Sequence, residues 1–206
     1  MKKRRNINRG LVLMLALVIG LVIMLTSFAV AHAAAQPDIR KSIEAVLEDY
    51  AQLLLLPTEY ADSDNAEVPE AVLEAKKADA NAVLRPHFGQ ANKTYATILR
   101  RVEEQLRAQA NQEMRRLVAL EYRLDSLHFS FEPGRAQVIF YYNQSVQYAG
   151  TNLQEGTNIQ GQAAFAKNDG EWRLLYLYLP DPQTGQEMSM EGDRPFGLNL
   201  NSIIYD

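Results

Sequence analysis

The sequence predicts an α+β domain in which N-terminal helices pack on a curved antiparallel sheet. From residue 38 to about residue 117 the apolar residues recur with the 3.6-residue period of helices. From residue 120 to residue 179 they alternate with the two-residue period of strands. A long uncharged segment precedes both regions and predicts a signal peptide or membrane-anchor helix.

Residues 11–31 form this uncharged segment, which spans about 31 Å as a helix and is long enough to cross a bilayer. Five basic residues lie within the first nine positions, which predicts a cytoplasmic N-terminus and a body outside the membrane. Small residues at 31–36 fit cleavage after Ala33 or Ala35. The sequence leaves open whether the segment is removed as a signal or retained as an anchor.

Three regions are expected along the chain. Residues 1–35 are a signal peptide or single transmembrane anchor, residues 36–180 one α+β domain, and residues 181–206 an irregular C-terminal extension. The extension contains Pro and Gly but also an apolar run, so we expect Phe196 to Tyr205 to dock on the domain or on a partner.

Three helices are expected in the first half of the domain. Asp38 can cap the first, which ends before Pro57. The second begins at Pro69 and stops before Pro86, and the third runs from near Asn92 to about Leu117. One stripe of the first helix is apolar and is expected to be buried: Ile39, Ile43, Val46, Leu47, Tyr50, Leu53 and Leu54. The third helix is expected to carry exposed ion pairs Arg100/Glu104 and Glu103/Arg107.

Four strands are expected in the second half. The first changes parity between Leu124 and Leu127, which predicts a bulge near Asp125 and Ser126. The others are expected at 136–148, at about 159–166 and at 172–179, with a tight hairpin turn at Asp169 and Gly170. We expect Trp172 to be mostly buried against the helices.

Three features resemble the nuclear transport factor 2-like, or cystatin-like, cone fold over about residues 38–180. They are the strand 136–148, the hairpin at 168–170, and Glu171-Trp172-Arg173-Leu174, which is similar to the frequent Asp-Gly-x-Trp-x-hydrophobic last strand of that family. With the N-terminal segment, residues 135–148 also resemble the mammalian-cell-entry-associated membrane proteins. A single-pass anchor is shared with the inner-membrane assembly proteins of type IV secretion systems.

The resemblance implies a ligand site in the mouth between helices and sheet, and a few members similar to ketosteroid isomerase or scytalone dehydratase use Asp, His and Tyr there. The candidate pocket residues chosen by type are Tyr122, Asp125, His128, Tyr142, Tyr148 and Tyr176. Catalysis would require a buried carboxylate with a raised pKa and a phenol that stabilises an oxyanion. Asp125 and His128 lie three residues apart, so a regular strand places them on opposite faces unless the bulge realigns them.

These observations favour a non-enzymatic extracytoplasmic binding or scaffold module at the bacterial cell envelope. Its expected partner is an envelope protein or a small apolar ligand, and it contacts the membrane through residues 11–31 if they are not cleaved. The alternatives are a small cavity enzyme of isomerase or dehydratase type and a single-pass structural subunit of an export or secretion apparatus. No cofactor, metal or nucleic acid is expected, because ligand-spaced motifs and basic clusters are missing from the acidic body. Assembly into a homo-oligomer is left open.

Overall fold

The computed structural model describes residues 9–61, 67–89, 93–132 and 134–179. The chain divides into two compact units, Met1–Asp38 and Ile39–Asp206. The helices are α1 Arg9–Leu54, α2 Thr58–Ala61, α3 Glu70–Leu84 and α4 Lys93–Ala110, with a 3₁₀ turn at Arg85–His87. The strands are β1 Leu117–Glu132, β2 Arg135–Tyr148, β3 Gln154–Asn168 and β4 Glu171–Tyr178. The predicted fold class, helices followed by a curved antiparallel sheet, is confirmed.

The first unit consists of the apolar part of α1, whose large side chains from Val12 to Val30 are exposed. This helix is long and apolar enough to cross a membrane. Its two hydroxyl side chains are satisfied within the helix: Thr26 donates to the carbonyl oxygen of Val22 at 2.9 Å and Ser27 to that of Ile23 at 2.8 Å. Such internal bonds remove the need for water around the segment.

The second unit begins inside α1 at Ile39, and the predicted helix start at Asp38 is wrong. The helix runs through Pro37 and Asp38, and the strong helix formers Ala33 to Ala35 favour this continuation. Pro37 has no backbone N–H, so the helix loses one hydrogen bond there. Every member of the predicted apolar stripe from Ile39 to Leu54 is buried. This stripe is the contribution of α1 to the domain core.

The second predicted helix is confirmed as α3, which starts one residue after Pro69 and ends before Pro86. The third helix, α4, ends at Ala110 rather than near Leu117, which instead opens β1. Both predicted ion pairs occur on α4, with N to O distances of 3.6 Å for Arg100–Glu104 and 3.3 Å for Arg107–Glu103. Helix α2 lies between the first two predicted helices, after Pro57 and before Pro69.

The sheet is antiparallel in the order β1-β2-β3-β4. Strand β1 shifts register between Leu124 and Ser126, so Asp125 is the bulged residue and the predicted bulge is confirmed. As a result Leu124, opposite Tyr142, and Leu127, opposite Phe140, lie on the same face. We call this helix-facing side the inner face and the opposite side the outer face.

Strand β2 carries the centre of the inner face. A continuous alternating series on it is buried: Ala136, Val138, Phe140, Tyr142, Gln144 and Val146. The Phe140 ring lies over Gly161 of β3, where an added Cβ would approach it to 2.3 Å. At the next turn Asp169 and Gly170 both have positive φ, 51° and 88°, which confirms the predicted tight hairpin.

Trp172 is partly buried, and the ring contacts described for it are with the sheet, whereas the sequence predicts burial against the helices. Its ring lies 6.4 Å from that of Phe131, and the Lys167 Nζ atom lies 5.9 Å from its centroid. Both neighbours belong to the sheet. The segment that follows the 3₁₀ turn meets β4 close to Trp172: Phe88 bridges Leu174, and the Arg173 Nη1 donates to the Pro86 carbonyl oxygen at 2.8 Å.

Two buried polar side chains connect the helices to the start of the sheet. The Gln109 Nε2 donates to the Leu54 carbonyl oxygen at 2.9 Å, and its Oε1 accepts from the Leu117 backbone N–H at 2.8 Å. Arg116 is 1% exposed and its Nη1 donates to the Tyr60 carbonyl oxygen at 2.7 Å. The ends of α1, α2 and α4 are thereby joined to β1.

We expect Gln109→Ala to lower the free energy of unfolding by about 2–4 kcal/mol, because it leaves one buried backbone donor and one buried acceptor unsatisfied. Urea unfolding followed by circular dichroism measures the loss. Gln52→Ala, an exposed substitution on α1, serves as the control and should stay within about 0.5 kcal/mol. Equal effects of the two substitutions would contradict the connecting role of Gln109.

Phe140→Ala should destabilise the domain by about 3–5 kcal/mol, since its side chain is fully buried. Trp172→Ala should cost only about 1–2 kcal/mol, because the indole is half-buried. The two melting temperatures, measured side by side, test this order. A larger loss for the tryptophan variant would contradict this order of burial.

The groove along strand β1

Strand β1 borders a recess of the domain, a groove of about 1070 Å³. Seven consecutive residues of the strand, from Val118 to Leu124, line it. Among the described strands, β1 pairs only with β2, so its other edge faces this groove. We call this recess the β1 groove.

One wall of the β1 groove is the last part of α1. Glu44, Glu48, Ala51, Gln52 and Leu55 line it at helical spacing. The Glu44 Oε1 accepts from the Arg40 Nε at 2.9 Å, so this carboxylate already has a cation. Glu48, one turn further along, is exposed.

The opposite wall belongs to the outer face of the sheet. Glu121 of β1, Ser145 of β2 and Glu155 of β3 oppose one another in register and form a row across three strands. All three line the groove together with Leu153, which is 53% exposed. Within the described part of the domain, Leu153 is the one large apolar side chain with such exposure.

The charge of the groove is predominantly negative. Glu48, Glu121 and Glu155 make no ion pair within the described residues, and Arg123 is the single basic residue of the lining. Carboxylates stand on both walls, while Tyr122, Leu124 and Leu55 supply apolar surface between them. The groove is therefore suited to a ligand that carries positive charge beside apolar groups.

A tyrosine cluster connects the groove with the core. The Tyr122 ring stacks on that of Tyr50 at 6.4 Å and meets that of Tyr142 edge-on at 5.3 Å. Tyr142 is completely buried, and its hydroxyl has no hydrogen-bond partner among the described residues. Burial raises the Tyr142 pKa well above its ordinary value, and Tyr50 and Tyr178 raise it further. This phenol remains protonated at neutral pH and is unsuited to act as a general base.

The structure brings together only part of the predicted pocket. Tyr122 and Tyr142 are in contact, whereas Asp125 is exposed at the bulge. His128 is exposed opposite Ile139 on the outer face, with its ring 5.8 Å from that of Tyr141.

The other two predicted tyrosines lie elsewhere on the sheet. Tyr148 is half-buried at the end of β2, opposite Leu117. Tyr176 is buried on β4, opposite Ala164. The bulge at Asp125 realigns the apolar residues of β1 and does not place Asp125 and His128 in one enclosed cavity.

Sequence reasoning missed two polar features. The first is a pair between the His87 Nε2 and the Asp49 Oδ2 at 2.6 Å, in which the imidazole is largely buried. It links α1 to the 3₁₀ turn across 38 residues of sequence, a separation that no local motif signals. The second is the glutamate row of the β1 groove, which only strand register reveals.

No protein-family model matches the chain, and no curated protein matches it. Solved structures similar to this chain are nuclear transport factor 2-like proteins, as the sequence predicts. A superfamily protein from Salmonella enterica serovar Typhimurium is 9% identical, with 79% of this chain and 99% of that chain covered and a TM-score of 0.45.

Two further structures bear the same superfamily name. A proposed dehydratase from Streptomyces avermitilis is 14% identical, with coverages of 70% of this chain and 94% of that chain and a TM-score of 0.39. A protein with a cystatin-like fold from Novosphingobium aromaticivorans is 16% identical, with coverages of 71% and 86% and a TM-score of 0.34. None of the three is described as membrane-anchored.

Tyr142→Phe should leave the domain at least as stable at neutral pH, because it removes a buried hydroxyl without a described partner. Above pH 10 the unfolded phenol ionises while the folded one, with its raised pKa, does not. The wild type should therefore lose stability faster than the variant between pH 10 and pH 12, by up to about 1.4 kcal/mol per pH unit. Urea midpoints measured across this range test it, and parallel pH profiles would contradict the raised pKa.

Proposed function

We propose that this chain is an extracytoplasmic binding or scaffold module of the bacterial cell envelope, and that its domain binds a partner protein at the β1 groove. The observation that carries the proposal is the shape of the recess. It is an open groove beside β1, and its walls carry apolar side chains and three carboxylates, Glu48, Glu121 and Glu155, that make no ion pair among the described residues. Such a surface is suited to recognition of a protein segment.

The interior of the domain supports a binding role over a catalytic one. Phe140, Tyr142 and Leu47 fill the space between helices and sheet and are almost completely buried. The two acid–base residues expected in a cavity enzyme, Asp125 and His128, are exposed instead. The fold itself is compatible with both roles, so the distinction rests on these placements.

The N-terminal segment supports a location outside the cytoplasm. Basic residues precede the apolar part of α1, and the first charged residue after it is Asp38. A retained segment makes the chain a single-pass membrane protein, whereas a cleaved one makes it a secreted, periplasmic or cell-surface protein. A structural subunit of an export apparatus would require the retained form.

Topology in bacterial cells tests the proposed location. In spheroplasts of cells producing the full chain, external protease should degrade the domain while a cytoplasmic marker protein stays intact. A domain that becomes sensitive only after lysis would overturn the extracytoplasmic location.

Alkaline extraction with N-terminal sequencing then distinguishes a cleaved signal peptide from a retained membrane anchor. A mature chain that begins near Ala34 or Gln36 and is extracted from the membrane shows a cleaved signal. An intact N-terminus in the membrane pellet shows an anchor. Replacing Lys2, Lys3, Arg4 and Arg5 by Glu should reduce the exported fraction, because orientation follows the positive charge before the span.

A further inference from the structure

We propose that two copies of this chain associate through strand β1, whose second half pairs with the same strand of a second copy across a two-fold axis at His128. This association is separate from the partner site proposed at the β1 groove. It follows from three properties of the strand: an open edge, an uncharged and partly apolar centre, and two opposite charges placed symmetrically about His128.

The two edges of the sheet differ in what lies next to them. At the β4 edge, Phe88 bridges Leu174, and the Gly89 N–H donates to the Leu174 carbonyl oxygen at 3.3 Å. The β1 edge from Ser126 to Ser130 lies beyond the groove, and among the described strands it adjoins β2 alone. An open edge of this kind is a template for a further strand unless charges, proline or a bulge protect it.

The stretch from residue 126 to residue 130 lacks such protection. Its sequence, Ser-Leu-His-Phe-Ser, contains no proline and no formal charge at neutral pH. The bulge lies at Asp125, before the stretch begins. Leu127 and Phe129 belong to the inner face and are only partly buried. A second strand beside them would therefore remove further apolar surface from water.

Two opposite charges lie at equal distances from the centre of this stretch. Glu132 faces residue 135 of β2, His128 faces residue 139 and Arg123 faces residue 143, so each charge is four positions from His128. All three side chains are exposed on the outer face of the sheet. Neither charge forms an ion pair within the described part of the chain.

A two-fold axis at His128 brings these charges together. When identical strands pair antiparallel, residues at equal distances on either side of the axis face each other. Arg123 of each copy then faces Glu132 of the other copy, and the pair forms twice. On the inner face, Leu127 of each copy faces Phe129 of the other. Opposite charges that face each other across two strands stabilise the pairing.

The expected dimer is weak. A ladder of five residues on each strand buries less than the roughly 1,200 Å² of stable complexes, which corresponds to a Kd in about the micromolar range. Asp125 is the extra residue of the bulge and faces no residue in this register.

Other occupants match this edge less well. A strand of another protein can pair with the backbone, but a second copy supplies both charges at the matching positions. The chain's own residues 180–206 follow β4, which is the opposite edge of the sheet from β1. They contain five acidic residues against Arg194 alone, so they offer little to face the exposed Glu132.

Charge exchange in the full chain in detergent tests the pairing, with sedimentation equilibrium as the measure of the dimer Kd. Arg123→Glu alone and Glu132→Arg alone should each weaken dimerisation about tenfold or more, because two attractive pairs become two repulsive ones. The double variant Arg123→Glu/Glu132→Arg should return to within about threefold of the wild-type Kd. Glu67→Arg, an exposed change outside the sheet, is the matched control and should leave Kd unchanged. A double variant as weak as the single ones would overturn the pairing.

Disulfide formation tests the position of the axis. The chain contains no cysteine, so His128→Cys introduces a single thiol. Facing Cα atoms of antiparallel strands are about 4.5–5.5 Å apart, a distance that a disulfide spans. With an added oxidant, His128→Cys should give a covalent dimer on a non-reducing gel. Gln160→Cys, exposed on the same face of β3, should not. Equal cross-linking of the two variants, or none at His128, would overturn the axis.

The remaining outcomes also overturn the proposal. A wild type that stays monomeric well above micromolar concentration would show that the edge does not pair with a second copy. Dimers that appear only after truncation at Asp181 would assign the edge to the chain's own C-terminal residues. Dimers whose Kd none of the β1 substitutions changes would assign association to another surface. None of these results affects the proposed location of the domain, which the topology experiment decides separately.

Discussion

The amide of Gln109 connects the parts of the domain that must meet for the rest to form. It lies at the end of α4, donates to the end of α1 at Leu54 and accepts from the first residue of β1 at Leu117. Because these two backbone groups are buried and away from water, they depend on the Gln109 amide for their hydrogen bonds. Gln109 thus joins the last helix of the helical layer to the first strand of the sheet, and it holds the end of α1 close to the beginning of β1.

That junction determines where the β1 groove lies. With Leu54 and Leu117 joined through Gln109, the preceding turns of α1 run beside the first half of β1. Tyr50 then stacks on Tyr122, and Glu48 lines the same recess as Glu121. The position of the acidic walls beside β1 is a consequence of how the two layers are joined, and no short sequence motif encodes it.

Features governed by local periodicity could be predicted from the sequence. The parity change between Leu124 and Leu127 predicts a bulge because one buried face must contain both residues, and Asp125 is indeed extra in the pairing. The buried stripe of α1 from Ile39 to Leu54 follows in the same way from helical spacing. Features that depend on distant contacts could not be predicted. Leu117 continues the apolar spacing of α4 but belongs to β1, where its backbone N–H donates to Gln109, and the described ring contacts of Trp172 lie in the sheet.

The predicted pocket shows the same difference between residues that local spacing places and residues that distant contacts bring together. Choosing Asp, His and Tyr by residue type identifies Tyr122 and Tyr142, because alternating aromatic residues on inner strand positions face the core. It does not identify the groove lined by glutamates on α1, β1 and β3, since each appears in the sequence as an ordinary exposed charge. Among the described residues, aromatic side chains fill space between the helices and the sheet. The Phe140 ring lies over Gly161, and the Tyr142 ring meets that of Tyr122 edge-on. The β1 groove instead brings carboxylates on two walls next to a strand edge that pairs with no described strand.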